Sequence, residues 1–203
     1  MGLAHDHTHD YARTARWAIW WALFINATMF AVEIGSSMIA GSVALLADSL
    51  DFFADAATYA ITLAVMGLSL RARAAAALAK AAMMAAVGMA ALGTALHNFV
   101  TGAEPDAIMI GTVGAAALAA NAASAGLLIR FRKGESNLRA LWLCSRNDAL
   151  GNLAVIAAGA GVYGTGAAWP DIAVGALLAC LGLSAALGIA RQALAERAGH
   201  RCA

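Results

Sequence analysis

The chain has 203 residues, of which 62% are hydrophobic and 12% charged, and its formal net charge is +1. A soluble domain carries about 25% charged and about 45–50% apolar residues, so an ordinary soluble globular protein is excluded. The 13 Lys and Arg residues are scattered, with no basic stripe or aromatic platform, which argues against nucleic acid as a partner.

Residues 1–15 read as a polar cytoplasmic tail containing His5-Asp6-His7-Thr8-His9-Asp10. Imidazoles at His5, His7 and His9 beside carboxylates can hold a Zn²⁺-type ion weakly. The equal alternative is a solvated tail with no ligand. It is too short to make a rigid site in either case.

Six apolar blocks follow, at about 16–37, 42–69, 78–100, 107–129, 138–163 and 169–190. Each approaches the roughly 20 residues needed to cross a bilayer. The first is too long and too polar inside for a cleaved signal peptide. Residues 191–203 read as a short cytoplasmic tail, so 16–190 is expected to form one six-helix transmembrane domain with no soluble domain at either end. Spans three, four and six are rich in Ala and Gly, as in GTVGAAALAANAASAG, which predicts close helix packing. His97, at the end of span three, reads as an interfacial residue.

The basic residues set the topology. Arg13 and Arg16 precede span one; Arg71, Arg73 and Lys80 flank the second connection; Arg130, Arg132, Lys133 and Arg139 flank the fourth; Arg191, Arg197 and Arg201 follow span six. The first, third and fifth connections carry no Lys or Arg. Positive charge on alternate connections predicts six transmembrane helices with both termini cytoplasmic. Cys144 and Cys180 lie in spans and Cys202 in the terminal tail, so no disulfide is expected.

The polar residues inside the spans carry the chemistry. Asp48, Asp51 and Asp55 on span two are spaced i, i+3 and i+7 and share a helix face. A carboxylate in hydrocarbon costs a few kcal/mol, so three on one face need a reason. On span five, Cys144 and Asp148 are spaced i, i+4. At 1.5 Å per residue, Asp51 and Asp55 lie roughly 14–20 Å from one face of the membrane, and Cys144 and Asp148 roughly 9–15 Å from the other. The hydrocarbon core is about 30 Å thick, so the pairs meet near its middle. Asp51, Asp55, Cys144 and Asp148 together supply the four ligands of a tetrahedral divalent ion.

Asn26 lies at similar depth on span one, with Glu33 on the same helix face nearer the outside, and Asn152 extends the Cys144/Asp148 stripe. With Asp48 and Asn147 they are taken as supporting or pathway groups. Arg146 and Asn147 point to other faces of their helix. Five acids (Glu33, Asp48, Asp51, Asp55, Asp148) face one base (Arg146) within the spans. Unpaired carboxylates there must hold protons, water or metal. Protons and a metal ion therefore compete for one site, which is the basis of exchange.

At these residues the sequence resembles the transmembrane domain of the cation diffusion facilitator family. GSVALLADSLDFFADA is similar to that family's span-two motif, with Asp51 and Asp55 as its ligand pair. WLCSRNDALGN resembles its span-five motif, with Asp148 as the aspartate. The resemblance, over about residues 16–190, implies an all-α six-helix bundle that exports a divalent metal ion at a midplane site. Two departures stand out. Position 144 is Cys where the family has His or Asp; Cys144 is either a soft ligand or a packing residue with Ser145 or Asn147 in its place. A thiolate favours Zn²⁺, the first expectation, or Cd²⁺, with Co²⁺, Mn²⁺ and Fe²⁺ behind. The chain also ends where relatives carry a cytoplasmic domain, so an expected homodimer would form through the spans.

The expected function is therefore secondary, proton-coupled antiport by alternating access, in a bacterial inner membrane, with no prosthetic group. No GxxxxGK[ST] motif for ATP is present. The alternative is a passive cation channel or an accessory membrane subunit without proton coupling. An enzyme using Cys144 as nucleophile is disfavoured, since no intramembrane His lies at its depth.

Overall fold

The computed structural model describes the backbone of residues 3–64, 70–131 and 136–199, with side chains over 14–64, 72, 74–131 and 141–195. Six α-helices fill the described chain, with no strand among those residues. They are α1 (Leu3–Ala40), α2 (Val43–Ala64), α3 (Leu70–Thr101), α4 (Ala107–Leu128), α5 (Ser136–Thr165) and α6 (Trp169–Gly199), with one turn of 3₁₀ helix at Ile129–Phe131. The protein is an all-α membrane bundle.

Helices α1, α3, α4 and α6 each contain a stretch long and apolar enough to cross a membrane. Helices α2 and α5, of 22 and 30 residues, have the length but carry the intramembrane acids. The helix ends differ from the apolar blocks. Helix α1 starts at Leu3, so the tail backbone is helical, while the side chains of His5, His7 and His9 lie outside the described residues. Helix α2 stops at Ala64, and residues 65–69 lie outside the described part. Helix α6 runs on through Arg191-Gln192-Ala193-Leu194-Ala195, good helix formers that need no apolar surroundings.

The first, third and fifth connections are tight turns that begin with Gly41, Gly102 and Gly166, at φ 66°, 67° and 61°. This left-handed conformation ends a helix at low cost only in glycine. The Ser42 amide donates to Ser37 O at 3.1 Å, and the Gly102 and Gly166 amides donate to Asn98 O and Val162 O.

Helix α2 sits at the centre and packs against α1, α3, α4, α5 and α6, with α4 laid along α5 and α3 along α6. At its N-terminus α6 comes close: a Cβ on Gly175 would meet the Val43 backbone carbon at 2.5 Å. One turn earlier on α6, the buried Asp171 caps α2, accepting from Val43 N at 2.7 Å, Ala44 N at 3.1 Å and Ser42 Oγ at 2.6 Å. A helix N-terminus favours such a carboxylate through its free amides and its dipole. Asn98 on α3 donates to Gly41 O at 2.8 Å, so three helices close this end of the bundle. The small-residue stripes do the packing expected of them: a Cβ on Gly159 of α5 would stand 2.9 Å from Gly111 N of α4.

Large apolar side chains cover the outside. Trp17, Trp20, Trp21 and Phe24 are exposed near one end of the bundle, and Phe99, Tyr163 and Trp169 near the other. Two aromatic girdles of this kind mark the two membrane interfaces.

Candidate metal-binding site

Helices α2 and α5 enter the bundle from opposite ends and meet at Asp55 and Cys144. From Val43, Asp55 is twelve residues along α2, or about 18 Å; from Ser136, Cys144 is eight residues along α5, or about 12 Å. The meeting point therefore lies near mid-membrane. One ligand atom each from Asp55, Cys144 and Asp148 lies within 4.8 Å of the others. Cys144 Sγ donates to Asp55 Oδ1 at 3.2 Å. Asp55 is buried, Asp148 half-buried and Cys144 exposed at the edge of the cluster, so the protein covers the site least on the Cys144 side.

The second Asp55 oxygen is held by two hydroxyls that the sequence reading did not place there. Tyr59, one turn along α2, donates to Oδ2 at 3.0 Å, and Ser145 of α5 does so at 3.4 Å. The two hydroxyl oxygens lie 2.6 Å apart, so at any moment one donates to Asp55 and the other to its neighbour. Tyr59 lies four residues after Asp55, so continuing the Asp48–Asp51–Asp55 stripe would have found it. These contacts leave Oδ1 facing Cys144 and fix the carboxylate's orientation.

Asp51 shares the face of Asp55 one turn away but is not part of the three-residue cluster. It stays close enough to Asp48, Asp55, Cys144 and Asp148 for the charges to act on one another. The structure thus brings together three of the four expected ligands and keeps the fourth adjacent.

The supporting residues divide. Asn152 Nδ2 donates to Asp48 Oδ2 at 2.7 Å, and Asn121 Nδ2 of α4 donates to Asn152 Oδ1 at 2.9 Å. Asn26 Nδ2 donates to Ser124 Oγ of α4 at 3.2 Å and to Ala22 O at 2.8 Å. The Glu33 carboxyl lies against that of Asp48. All of these side chains are buried. Asn147 is exposed and accepts from Arg146 Nη2 at 3.1 Å, and the Arg146 guanidinium lies 5.3 Å from the Trp142 ring centre. Neither residue is turned to the cluster, as their offset from the Cys144/Asp148 face requires.

Lys80 takes a role that the sequence reading assigned only to topology. It sits on α3, half-buried, and Nζ donates to Thr58 Oγ1 at 2.6 Å. Thr58 is one turn from Asp55, and the Lys80 charge acts on both Asp55 and Cys144.

Two carboxylates and a thiol, converging from two helices, are a donor set for a divalent transition metal. No curated relative matches the chain. The family model described as the cation efflux transmembrane domain matches residues 19–196, nearly all of the six-helix bundle. The chain belongs to the cation efflux family, whose members carry metal cations across membranes.

Proposed function

We propose that this protein exports a divalent transition-metal ion, of the Zn²⁺ type, in exchange for protons, with the ion held between α2 and α5. The observation that carries this reading is the Asp55–Cys144–Asp148 cluster, three ligand atoms within 4.8 Å at mid-membrane. One thiolate and two carboxylates suit Zn²⁺ and Cd²⁺ better than Mg²⁺. Asp51, one turn from Asp55 on the same helix face, is the side chain that would complete a tetrahedral shell as α2 turns slightly against α5.

The exchange follows from ligand chemistry. A metal binds thiolate and carboxylate, so loading the site releases protons, and protons arriving from the other side displace the metal. Alternating access then needs α2 and α5 to part first on one side and then on the other. At the α1–α2 turn the bundle is pinned by Asp171 and Asn98, while Cys144 is left exposed. This supports a resting state closed at that end.

Zn²⁺ flux into proteoliposomes under an imposed pH gradient tests the reading, with wild type beside Asp55→Asn. Gradient-driven flux that the variant loses is expected. Flux indifferent to the gradient would replace antiport with a passive channel.

A further inference from the structure

Four buried side-chain atoms among the described residues have no hydrogen-bond partner: Asn26 Oδ1, Glu33 Oε1, Glu33 Oε2 and Asn121 Oδ1. All four are acceptors. Three of them belong to one polar seam, in which Asn121 is tied to Asn152, Asn152 to Asp48, and Asp48 lies against Glu33, while Asn26 is tied to Ser124 two turns before Glu33 on α1. A buried polar group without a partner costs about 1–3 kcal/mol, more if charged. A seam whose leftover atoms are all acceptors has the polarity that a cation satisfies.

Among the described residues, neither Lys80 nor Arg146 supplies it. Lys80 is bonded to Thr58, and Arg146 is bonded to Asn147 against Trp142. Glu33 is 0% exposed and Asp48 1%. Glu33 therefore offers two oxygens that no donor group of the protein reaches, beside the Asp48 carboxyl that Asn152 holds by one oxygen, so the two acids must share either a proton or a cation. Asp48 precedes Asp55 by seven residues on α2, or about 10 Å, too far for one ion to be shared.

We propose that Glu33 and Asp48 form a second cation site, held by oxygen alone, between the Asp55–Cys144–Asp148 cluster and the α1–α2 turn. It takes a hard or borderline divalent cation, since carboxylate and amide oxygens suit Mg²⁺, Ca²⁺ and Mn²⁺. Taken with the export reading, on which this role rests, it is a transit station. Asp51 stands between the two sites, one turn from Asp48 and four residues from Asp55. A transition metal that leaves a thiolate for oxygen ligands is held less tightly, which favours release toward that end.

The test counts Mn²⁺ bound to the full chain in phosphatidylcholine nanodiscs, from the loss of the free Mn²⁺ electron paramagnetic resonance signal. An Asp55→Asn/Asp148→Asn variant disables the first cluster and is expected to retain one Mn²⁺ per chain. Adding Glu33→Gln is expected to abolish it, and Asp48→Asn gives the same reading if the Glu33 variant fails to keep its helical signal. A folded double variant that binds no Mn²⁺, or binding that survives both added changes, overturns the proposal and leaves a shared proton as the partner of these oxygens. The thiolate-to-metal absorption of Cd²⁺ on the wild type reports the first cluster separately. Its absence beside intact Glu33-dependent Mn²⁺ binding would remove the export site and not this one.

Discussion

Cys144 on α5 donates to Asp55 on α2 at 3.2 Å, and through this contact the two acid-bearing helices meet. A thiol here makes the metal preference of the site testable. Cys144→Ser keeps the size and removes the soft ligand. It should lower Cd²⁺ affinity at least about tenfold, or roughly 1.4 kcal/mol, while changing Mn²⁺ affinity much less. Competition titrations with the two ions measure the ratio; equal losses for both would mean that the sulfur is packing only.

Tyr59 bridges Asp55 and Ser145 from inside the bundle. Tyr59→Phe leaves both partners buried with one donor fewer, at a cost of about 1–3 kcal/mol. A bound metal takes over charge from the Asp55 carboxylate, so the loss should be larger in metal-free protein than with Zn²⁺ present. Thermal unfolding with and without Zn²⁺ checks this, and equal losses in the two states would argue against the hydroxyl acting through Asp55.

Lys80 places a positive charge where it acts on Asp55 and Cys144. Removing it with Lys80→Met should tighten Zn²⁺ binding by about tenfold or more, because at an effective dielectric near 20 a second cation is repelled by about a few kcal/mol at close range and less further out. Lys80→Arg should stay near wild type. Calorimetric titration of the three proteins decides; weaker binding in the Met variant would make Lys80 a support for the site instead of a competitor.

Asp171 caps α2 from another helix with three hydrogen bonds. Asp171→Ala should cost about 2 kcal/mol or more, since it strips a charged cap and leaves Ser42 and two amides unpaired. Asp171→Asn should recover part of the loss. Gly175→Ala, which presses on Val43, should also destabilise. Unfolding curves give the order, and a harmless Asp171→Ala would mean that water replaces the cap.

Much of this was legible in the sequence, for a physical reason. A bilayer forces long apolar segments and sorted positive charge, so all six helices could be read from composition and from Arg and Lys positions. Helices α2 and α5 stood out because acids at helical spacing have no place in hydrocarbon without a function. The convergence of Asp55, Cys144 and Asp148 followed from opposed depths. Depth alone could not tell which turn of α2 faces α5, so Asp51 was expected inside the cluster and lies beside it. The Tyr59–Ser145 bridge, the Asp171 cap and the Asn121–Asn152 link join residues far apart in the chain. Such pairs leave no period in a sequence. The helical N-terminal segment was hidden because its polar residues look alike whether helical or solvated.

The central claim is that Asp55, Cys144 and Asp148 hold the transported ion together. X-ray absorption of Zn²⁺ bound to the full chain tests it most directly. The expected shell has one sulfur at about 2.3 Å with oxygen ligands at about 2.0–2.2 Å, and the sulfur disappears in Cys144→Ser. A wild-type shell with no sulfur, or one built of imidazole nitrogens from the N-terminal segment, would contradict the account.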